Sequence, residues 1–395
     1  MTKYYDAARA AELLGVSRST LYAYVSRGKI RSAPDPDSGR ARRYLAADVD
    51  RLARAGGERR DPTQATRRAL DWGRPVLATS IAEIDGRALR YRGVDACRLA
   101  RERTFEDVAS LLWKTQSPPT LTSPPSPSAD DVLARAEGLP LMKRCQIALA
   151  TAEHLDVRAF MLDPRHVART GESILRWMVA AREDLSELTP GEPVARALAR
   201  AWEAPAWAEP TLNAALVLCA DHGLNASTFA ARVAASAGAT PYGAAQAGLA
   251  ALLGRRHAGI TARIAALFDE AERAASPLDA LLDRLRRGAA IPGFAHPLYP
   301  DGDPRARLLL DALAHHAPDH PVTSLTANLC AAAAEILDDG HPSVDLALTS
   351  LARTLGRPDD ALYLFALGRA AGWIAHTMEQ YADGSLLRPR SEYRR

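Results

Sequence analysis

A chain of 395 residues, 47% hydrophobic and 25% charged, has material for more than one buried core. Its four cysteines, Cys97, Cys145, Cys219 and Cys330, lie far apart with no CxxC or Cys/His cluster, which argues against a disulfide framework and against structural zinc. No apolar run is long enough to span a bilayer and no signal peptide is evident, so a cytoplasmic protein without a membrane partner is expected.

The net charge of +3 is unevenly placed. Residues 1–60 hold 13 Lys/Arg against 7 Asp/Glu, while the rest of the chain is slightly acidic. A basic head on such a body suggests an anionic partner for the head. Aromatics are only 6%. Alanine and leucine dominate, so an α-rich fold is the first expectation.

Residues 6–14 (DAARAAELL) read as a short helix broken at Gly15. Ser17 is a good N-cap for a second helix, Arg18 to Arg27, stopped by Gly28. This is the helix-turn-helix pattern, with Ser17, Arg18 and Tyr22 near the end that usually meets bases and phosphates. A turn-rich loop follows, and Arg40, Arg42 and Arg43 suit a wing against a phosphate backbone. A third helix is expected over 46–55. The stretch resembles the winged helix-turn-helix of the MerR and excisionase families, which implies DNA as a partner. The alternative is a small protein-interaction module whose arginines are merely solvated. One such module offers few phosphate contacts, so binding would be weak and salt-sensitive unless a dimer presents two.

Residues 57–70 read as a linker. Beyond it, Asp85-Gly86 is a turn dipeptide between two strand-like runs. Asp95 starts a short turn, and Thr104 caps a helix in TFED. Residues 115–129 are rich in Pro, Ser and Thr and read as an exposed loop. From residue 130 onward helix follows helix, and the body shows no convincing β-sheet and no fixed-period repeat.

Four polar residues stand out in this helical half, each beside glycine or proline: His222 in CADHGLN, His257 in GRRHAG, His296 in PGFAHPLY and Asp345 in HPSVDLAL. Helix ends carrying such groups to a common cleft would suit acid–base chemistry, since histidine titrates nearest neutral pH. Singly, each has a structural alternative: a helix-terminal polar residue for His222, a solvated loop residue for His257, a carbonyl-bonded loop residue for His296, a helix cap for Asp345.

The order of motifs adds to this. ATSIAEIDGRALRYRG with TFEDVASLLW resembles the opening of the citrate synthase family. CADHGLNASTF, PYGAAQAGLAALLGRRHAG, IPGFAHPLYPDGDPRA, HPSVDLAL, FALGRAAGWIAHTMEQ and LLRPRSEY then follow that family's motifs in its order. The resemblance implies an all-α, two-domain dimer. Residues 1–56 would be the helix-turn-helix module, 71–258 and 356–395 the two parts of a large domain, and 259–355 an inserted small domain. It implies an acyltransferase that condenses acetyl-CoA with oxaloacetate to citrate and CoA, or propionyl-CoA to 2-methylcitrate. No cofactor or metal is implied, acyl-CoA being a co-substrate. The alternative is a DNA-binding regulator whose citrate synthase-like body senses these ligands with weakened turnover.

By the same resemblance, Asp345 removes a methyl proton from the thioester, His257 steadies the enolate oxygen and His296 polarises the ketone. His222, Arg305, Arg369 and Arg388 match the groups that hold oxaloacetate, with Arg388 supplied by the partner subunit. Guanidinium groups match carboxylates well. The sequence departs from the family around the thioester side. GRRHAG stands where the family reads GPLHGG, and an alanine at 258 would be strained by roughly 1 kcal/mol if that position requires positive φ. Gly223 replaces a common Glu, and Ala295 replaces a Gly. Pro300 stands where a basic residue suited to a CoA phosphate is often found, leaving Arg255 or Arg256 as replacements.

Overall fold

The computed structural model describes residues 4–35, 38–50, 52, 77–120, 134, 136–182, 189–255, 259–391 and 393. The chain divides into two compact units, Met1–Ala78 and Thr79–Arg395.

In the first unit, Asp6 caps the helix Ala7–Leu14 by accepting from the Arg9 N–H, and Gly15 ends it in the left-handed region at φ 61°. Ser17 caps the next helix, Arg18–Ser26, accepting from the Thr20 N–H. Both caps fall where short polar side chains before an apolar run place them. The strands Ser32–Asp35 and Ser38–Leu45 pair antiparallel, and Tyr4–Tyr5 pairs with the other edge of Ser38–Leu45. Residues 46–50 are helical. Leu14, Leu21, Ile30, Tyr44 and Val49 fill a small core. The buried Asp48 carboxylate accepts from Arg31 Nε at 2.9 Å and Nη2 at 3.1 Å, tying that helical segment to the chain ahead of the hairpin. The hairpin is the winged element expected from the loop and basic run.

The second unit opens with a three-stranded antiparallel sheet, Ala82–Ile84, Leu89–Tyr91 and Val94–Asp95. The Asp85 carboxylate accepts from the Arg87 and Ala88 N–H groups, shaping the turn. Asp95 caps Ala96–Glu102, and Thr104 and Asp107 form a full capping box on Phe105–Trp113. Among the described residues, the regular elements after it are helices, apart from one isolated bridge between Phe294 and Pro342. Five helices, Pro164–Ala180, Pro241–Leu252, Pro277–Arg286, Pro304–His316 and Pro321–Ile336, begin with proline behind a capping side chain. Proline there loses nothing, because its missing N–H would have no helical partner. The proline-rich loop expected at 115–129 falls mostly outside the described residues.

The helix Ala361–Asp383 runs through the core and is buried along most of its length. Small residues let its neighbours approach. A Cβ on Gly372 would lie 2.2 Å from the Ala220 carbonyl oxygen, and one on Gly368 would lie 2.6 Å from that of Leu216. The helix Ala208–Cys219 therefore packs backbone against backbone on it. From another side Gly248 accepts the indole of Trp373. A second, smaller core gathers Ile264, Leu267, Phe268, Leu281, Phe294, Leu329 and Leu346.

Candidate active site

His222 lies just past the C-terminus of Ala208–Cys219, where the chain leaves the helix. Its position is set by Tyr91, whose hydroxyl donates to the Val217 carbonyl at 2.9 Å and receives the Asp221 N–H at 3.2 Å. Gly223, at φ 61°, turns the chain immediately afterwards. His222 is buried, and its Nε2 lies 2.9 Å from the Tyr299 hydroxyl.

His296 meets this pair. Its ring centroid is 5.1 Å from that of His222, edge to face, and 5.0 Å from that of Tyr299. The Leu298 N–H donates to His296 Nδ1 at 3.2 Å. A neutral ring therefore carries its proton on Nε2, which makes that nitrogen a donor. The loop holding His296 is stapled by backbone to the segment that leads to Asp345: the Ala295 N–H donates to the His341 carbonyl and the Ser343 N–H to the Gly293 carbonyl, both at 2.8 Å. Ala295 sits at φ 64°, in the left-handed region. Alanine is strained in that region, and by the resemblance this is the other position where alanine replaces a glycine. Ala258 itself lies outside the described residues.

Arg305 is buried in the first turn of Pro304–His316. Its Nε and Nη2 donate to the two carboxylate oxygens of Asp303, at 2.9 and 2.8 Å, and its guanidinium lies 5.4 Å over the Tyr299 ring. Asp303 also accepts the Val344 N–H at 3.1 Å. One carboxylate thus joins the cationic residue to the first turn of Val344–Thr354, which carries Asp345. Ser343 is the N-cap of that helix, so Asp345 is not a cap.

Arg369 projects from the middle of Ala361–Asp383. Its Nε donates to the Cys219 carbonyl at 2.8 Å and its guanidinium lies 4.7 Å over the Phe365 ring. Its Nη1 and Nη2 are buried without a hydrogen-bond partner among the described residues. Buried guanidinium donors left unmet are costly unless an acceptor comes to them.

The electrostatics follow from burial and these cations. Burial, with Arg305 and Arg369 nearby, holds the His222 imidazole far below its usual range, so it is neutral. Burial and Arg305 lower His296 to about 4. Burial pushes the Asp345 carboxyl up, against the pull of Arg305 and Arg369. Burial disfavours the charge on Arg305, but Asp303 outweighs it and holds the guanidinium protonated. Two neutral imidazoles, two cations and a carboxylate of raised basicity therefore share one neighbourhood, a set suited to polarising a carbonyl and removing a weakly acidic proton.

Not every expected residue joins. His257, with Arg256 and Ala258, lies outside the described residues. Arg255 is exposed at the end of the preceding helix. Arg388 is exposed on the tail after Ala361–Asp383 and takes no part in the site within this chain. In the first unit, Ser17 and Arg18 lie at the start of Arg18–Ser26 and Tyr22 is 54% exposed on it. Arg42 turns to its own sheet, with Nε donating to the Ser32 hydroxyl at 3.0 Å, and Arg43 stacks 4.6 Å over the Tyr4 ring. The Arg40 side chain is outside the described residues.

Sequence reasoning passes over Tyr299, Asp303, Asp221 and His376. His376 is fully buried with its Nε2 3.2 Å from the equally buried Asp221 Oδ1. Burial works against the Asp221 charge, but His376 and Arg369 outweigh it and keep the carboxyl below its usual range. Among the described residues no group of three or more His, Cys, Asp or Glu is arranged to hold a metal ion, and no helix is long and apolar enough to cross a membrane.

The comparisons with known proteins agree with this geometry. Residues 4–57 match the model of a helix-turn-helix domain. A provisionally named citrate synthase 2 of Mycobacterium tuberculosis is 34% identical over 348 residues, covering 80% of this chain and 90% of that protein. The 2-methylcitrate synthase of Shewanella oneidensis is 26% identical, covering 80% of this chain and 91% of its own length. The crystal structure of citrate synthase from Thermotoga maritima superposes with a TM-score of 0.68 at 26% identity, covering 81% of this chain and 94% of that one. Since residues 69–390 match the model of the citrate synthase C-terminal domain, the chain belongs to the citrate synthase family, with a helix-turn-helix domain ahead of the family body.

Proposed function

We propose that this chain condenses oxaloacetate with an acyl-CoA, acetyl-CoA giving citrate or propionyl-CoA giving 2-methylcitrate, and releases CoA. The observation that carries this reading is Arg369. Its two buried, unpartnered Nη groups stand in a neighbourhood that also holds neutral His222, neutral His296 and Asp345, and a carboxylate is the acceptor that suits them. In this reading Arg369 and Arg305 hold the dicarboxylate and His222 adds a contact. His296, protonated on Nε2, donates to the ketone oxygen. Asp345 takes the α-proton of the thioester, and His257 steadies the enolate. The carbanion then attacks the polarised ketone, and water hydrolyses the thioester to free CoA.

Residues 259–355 serve in this reading as the inserted small domain, supported by the separate core around Phe268 and Leu329. Arg388 completes the site of a partner subunit, so the protein is a homodimer, and it works in the cytoplasm without a cofactor. Arg255 or Arg256 supplies the cation for a CoA phosphate in this reading.

The test is CoA-thiol release with oxaloacetate and either thioester. We expect turnover by the wild type and a loss of about 1000-fold or more in Asp345→Ala. No turnover at saturating substrates would defeat the reading. A monomer by light scattering would remove Arg388 from it.

A second reading concerns the first unit alone. The exposed start of Arg18–Ser26, with Arg18 and Tyr22, favours DNA as its partner. Deleting residues 1–56 should abolish salt-sensitive binding to duplex DNA. Binding that survives the deletion would place the contact elsewhere.

A further inference from the structure

Arg369, Gly372 and His376 are spaced by three and four residues, so they share one face of the helix Ala361–Asp383. Asp221, the residue before His222, lies over that face. A Cβ on Gly372 would fall 2.7 Å from Asp221 Oδ1. This oxygen therefore rests on the glycine, between the turn that carries Arg369 and the turn that carries His376. A partner is available on each side, and it takes only one. His376 Nε2 lies 3.2 Å away, with both side chains wholly buried. The Arg369 Nη1 and Nη2 donors stay unpartnered among the described residues. Burial disfavours the Arg369 charge, and Asp221 is the foremost of the groups that favour it, although the two make no hydrogen bond.

The unused pairing is the informative feature. Carboxylate and guanidinium form some of the strongest hydrogen bonds in proteins, so a buried aspartate beside unmet guanidinium donors has every reason to close on them. Both oxygens of Asp221 are held elsewhere. Oδ2 accepts the Gly223 N–H at 2.9 Å, and Oδ1 faces the His376 ring. That ring is braced from behind. Its Nδ1 lies 4.0 Å from Glu379 Oε2. The Glu379 carboxylate is in turn fixed by Arg232 Nη1 at 3.0 Å and by the Ser80 N–H at 2.8 Å.

We infer that His376 is a positioning residue: it holds the Asp221 carboxylate off Arg369 and so keeps the outer nitrogens of Arg369 open for a carboxylate of the substrate. Without the imidazole, Oδ1 loses its buried partner and turns to the unmet donors on the neighbouring turn of the same helix. Arg369 is then quenched by its own chain. That the incoming carboxylate belongs to oxaloacetate rests on the proposed condensation; the separation of Asp221 from Arg369 does not.

The test uses the full chain carrying His376→Leu, with CoA release, calorimetry with oxaloacetate and a crystal structure of the variant. The oxaloacetate KM and Kd should each rise about tenfold or more while kcat stays within about threefold. His376→Gln keeps an N–H donor for Asp221 and should stay within about threefold of the wild type. Adding Asp221→Asn to His376→Leu should bring the KM back to within about threefold, because a neutral amide does not quench a guanidinium. In the crystal structure of His376→Leu, the Asp221 carboxylate should lie about 3 Å from an Arg369 Nη. Should His376→Leu fail to fold, His376→Phe, which keeps a ring, is measured in its place. An Asp221 unmoved in that structure, or an unchanged KM in an active variant, would overturn the inference. A double variant as impaired as His376→Leu would reduce His376 to a structural role and overturn it too. A wild type that releases no CoA would defeat the condensation reading, while the crystal structure and the Kd still decide the role of His376.

Discussion

Asp303 holds Arg305 through both carboxylate oxygens, at 2.9 and 2.8 Å, although only one residue separates the two in sequence. Both side chains are almost completely buried. Breaking a buried pair strands its remaining charge. Asp303→Asn should therefore cost about 3 kcal/mol of stability by chemical denaturation. If the chain carries out the proposed condensation, it should also raise the oxaloacetate KM more than it lowers kcat, because Arg305 is freed from its fixed orientation. A variant as stable as the wild type would show that the clamp contributes little.

Ala295 carries backbone strain beside His296, at φ 64°. Glycine tolerates that region, while an L-side chain there costs roughly 1–2 kcal/mol. Ala295→Gly should raise the denaturation midpoint, by about 1 kcal/mol net of the extra freedom glycine gives the unfolded chain. A lower midpoint would mean that the alanine methyl makes contacts worth more than its strain.

These two sites mark the limit of what the sequence makes legible. Caps such as Ser17, Asp95 and Thr104 are readable because each satisfies a backbone group within three residues. The site residues His222, His296, Arg305, Arg369 and Asp345 are readable because their surrounding motifs keep a recognisable order. Asp303 goes unread, since its grip on Arg305 and Val344 depends on where two helices meet. The Asp221–His376 pair depends on contact between helices far apart in sequence. Alanine carries no sign that its backbone is left-handed, so the strain at Ala295 goes unread in the sequence. The contacts of Arg42 with Ser32 and of Arg43 with the Tyr4 ring are likewise settled by strand pairing, which a basic run does not reveal.

The contact at Gly372 leaves no room for a methyl group. A Cβ would fall 2.2 Å from the Ala220 carbonyl oxygen and 2.7 Å from Asp221 Oδ1. Gly372→Ala should destabilise the fold by about 3 kcal/mol, at the upper end of overpacking effects, because backbone on both sides must move. Thermal unfolding measures this. Gly356 provides the comparison: a Cβ there would meet nothing within 4 Å, but φ is +70°. Gly356→Ala should lose only the roughly 1 kcal/mol of a left-handed alanine. Equal losses at both positions would show that crowding at Gly372 is not what matters.

Acid should weaken the fold through its neutral histidines. His296 has a folded pKa of about 4, below the ordinary value of 6.5. His222 is lowered in the same sense. As pH falls below 6.5 the unfolded chain takes up the protons first, so unfolding becomes easier. The contribution is whole above about pH 6.5 and is progressively lost towards pH 4. His296→Gln should flatten the midpoint-versus-pH curve across that window. An unchanged slope would assign the acid sensitivity to other groups.

The two backbone hydrogen bonds between the 293–295 and 341–343 segments have a mechanical consequence. They yoke the group that would donate to a ketone and the group that would accept a carbon-bound proton, so a displacement of either loop drags the other along. Electrophile activation and proton removal would then rise and fall as one adjustable setting. Evolution acting on this loop pair could tune the timing of the whole reaction while leaving His222 and Arg369 where they are.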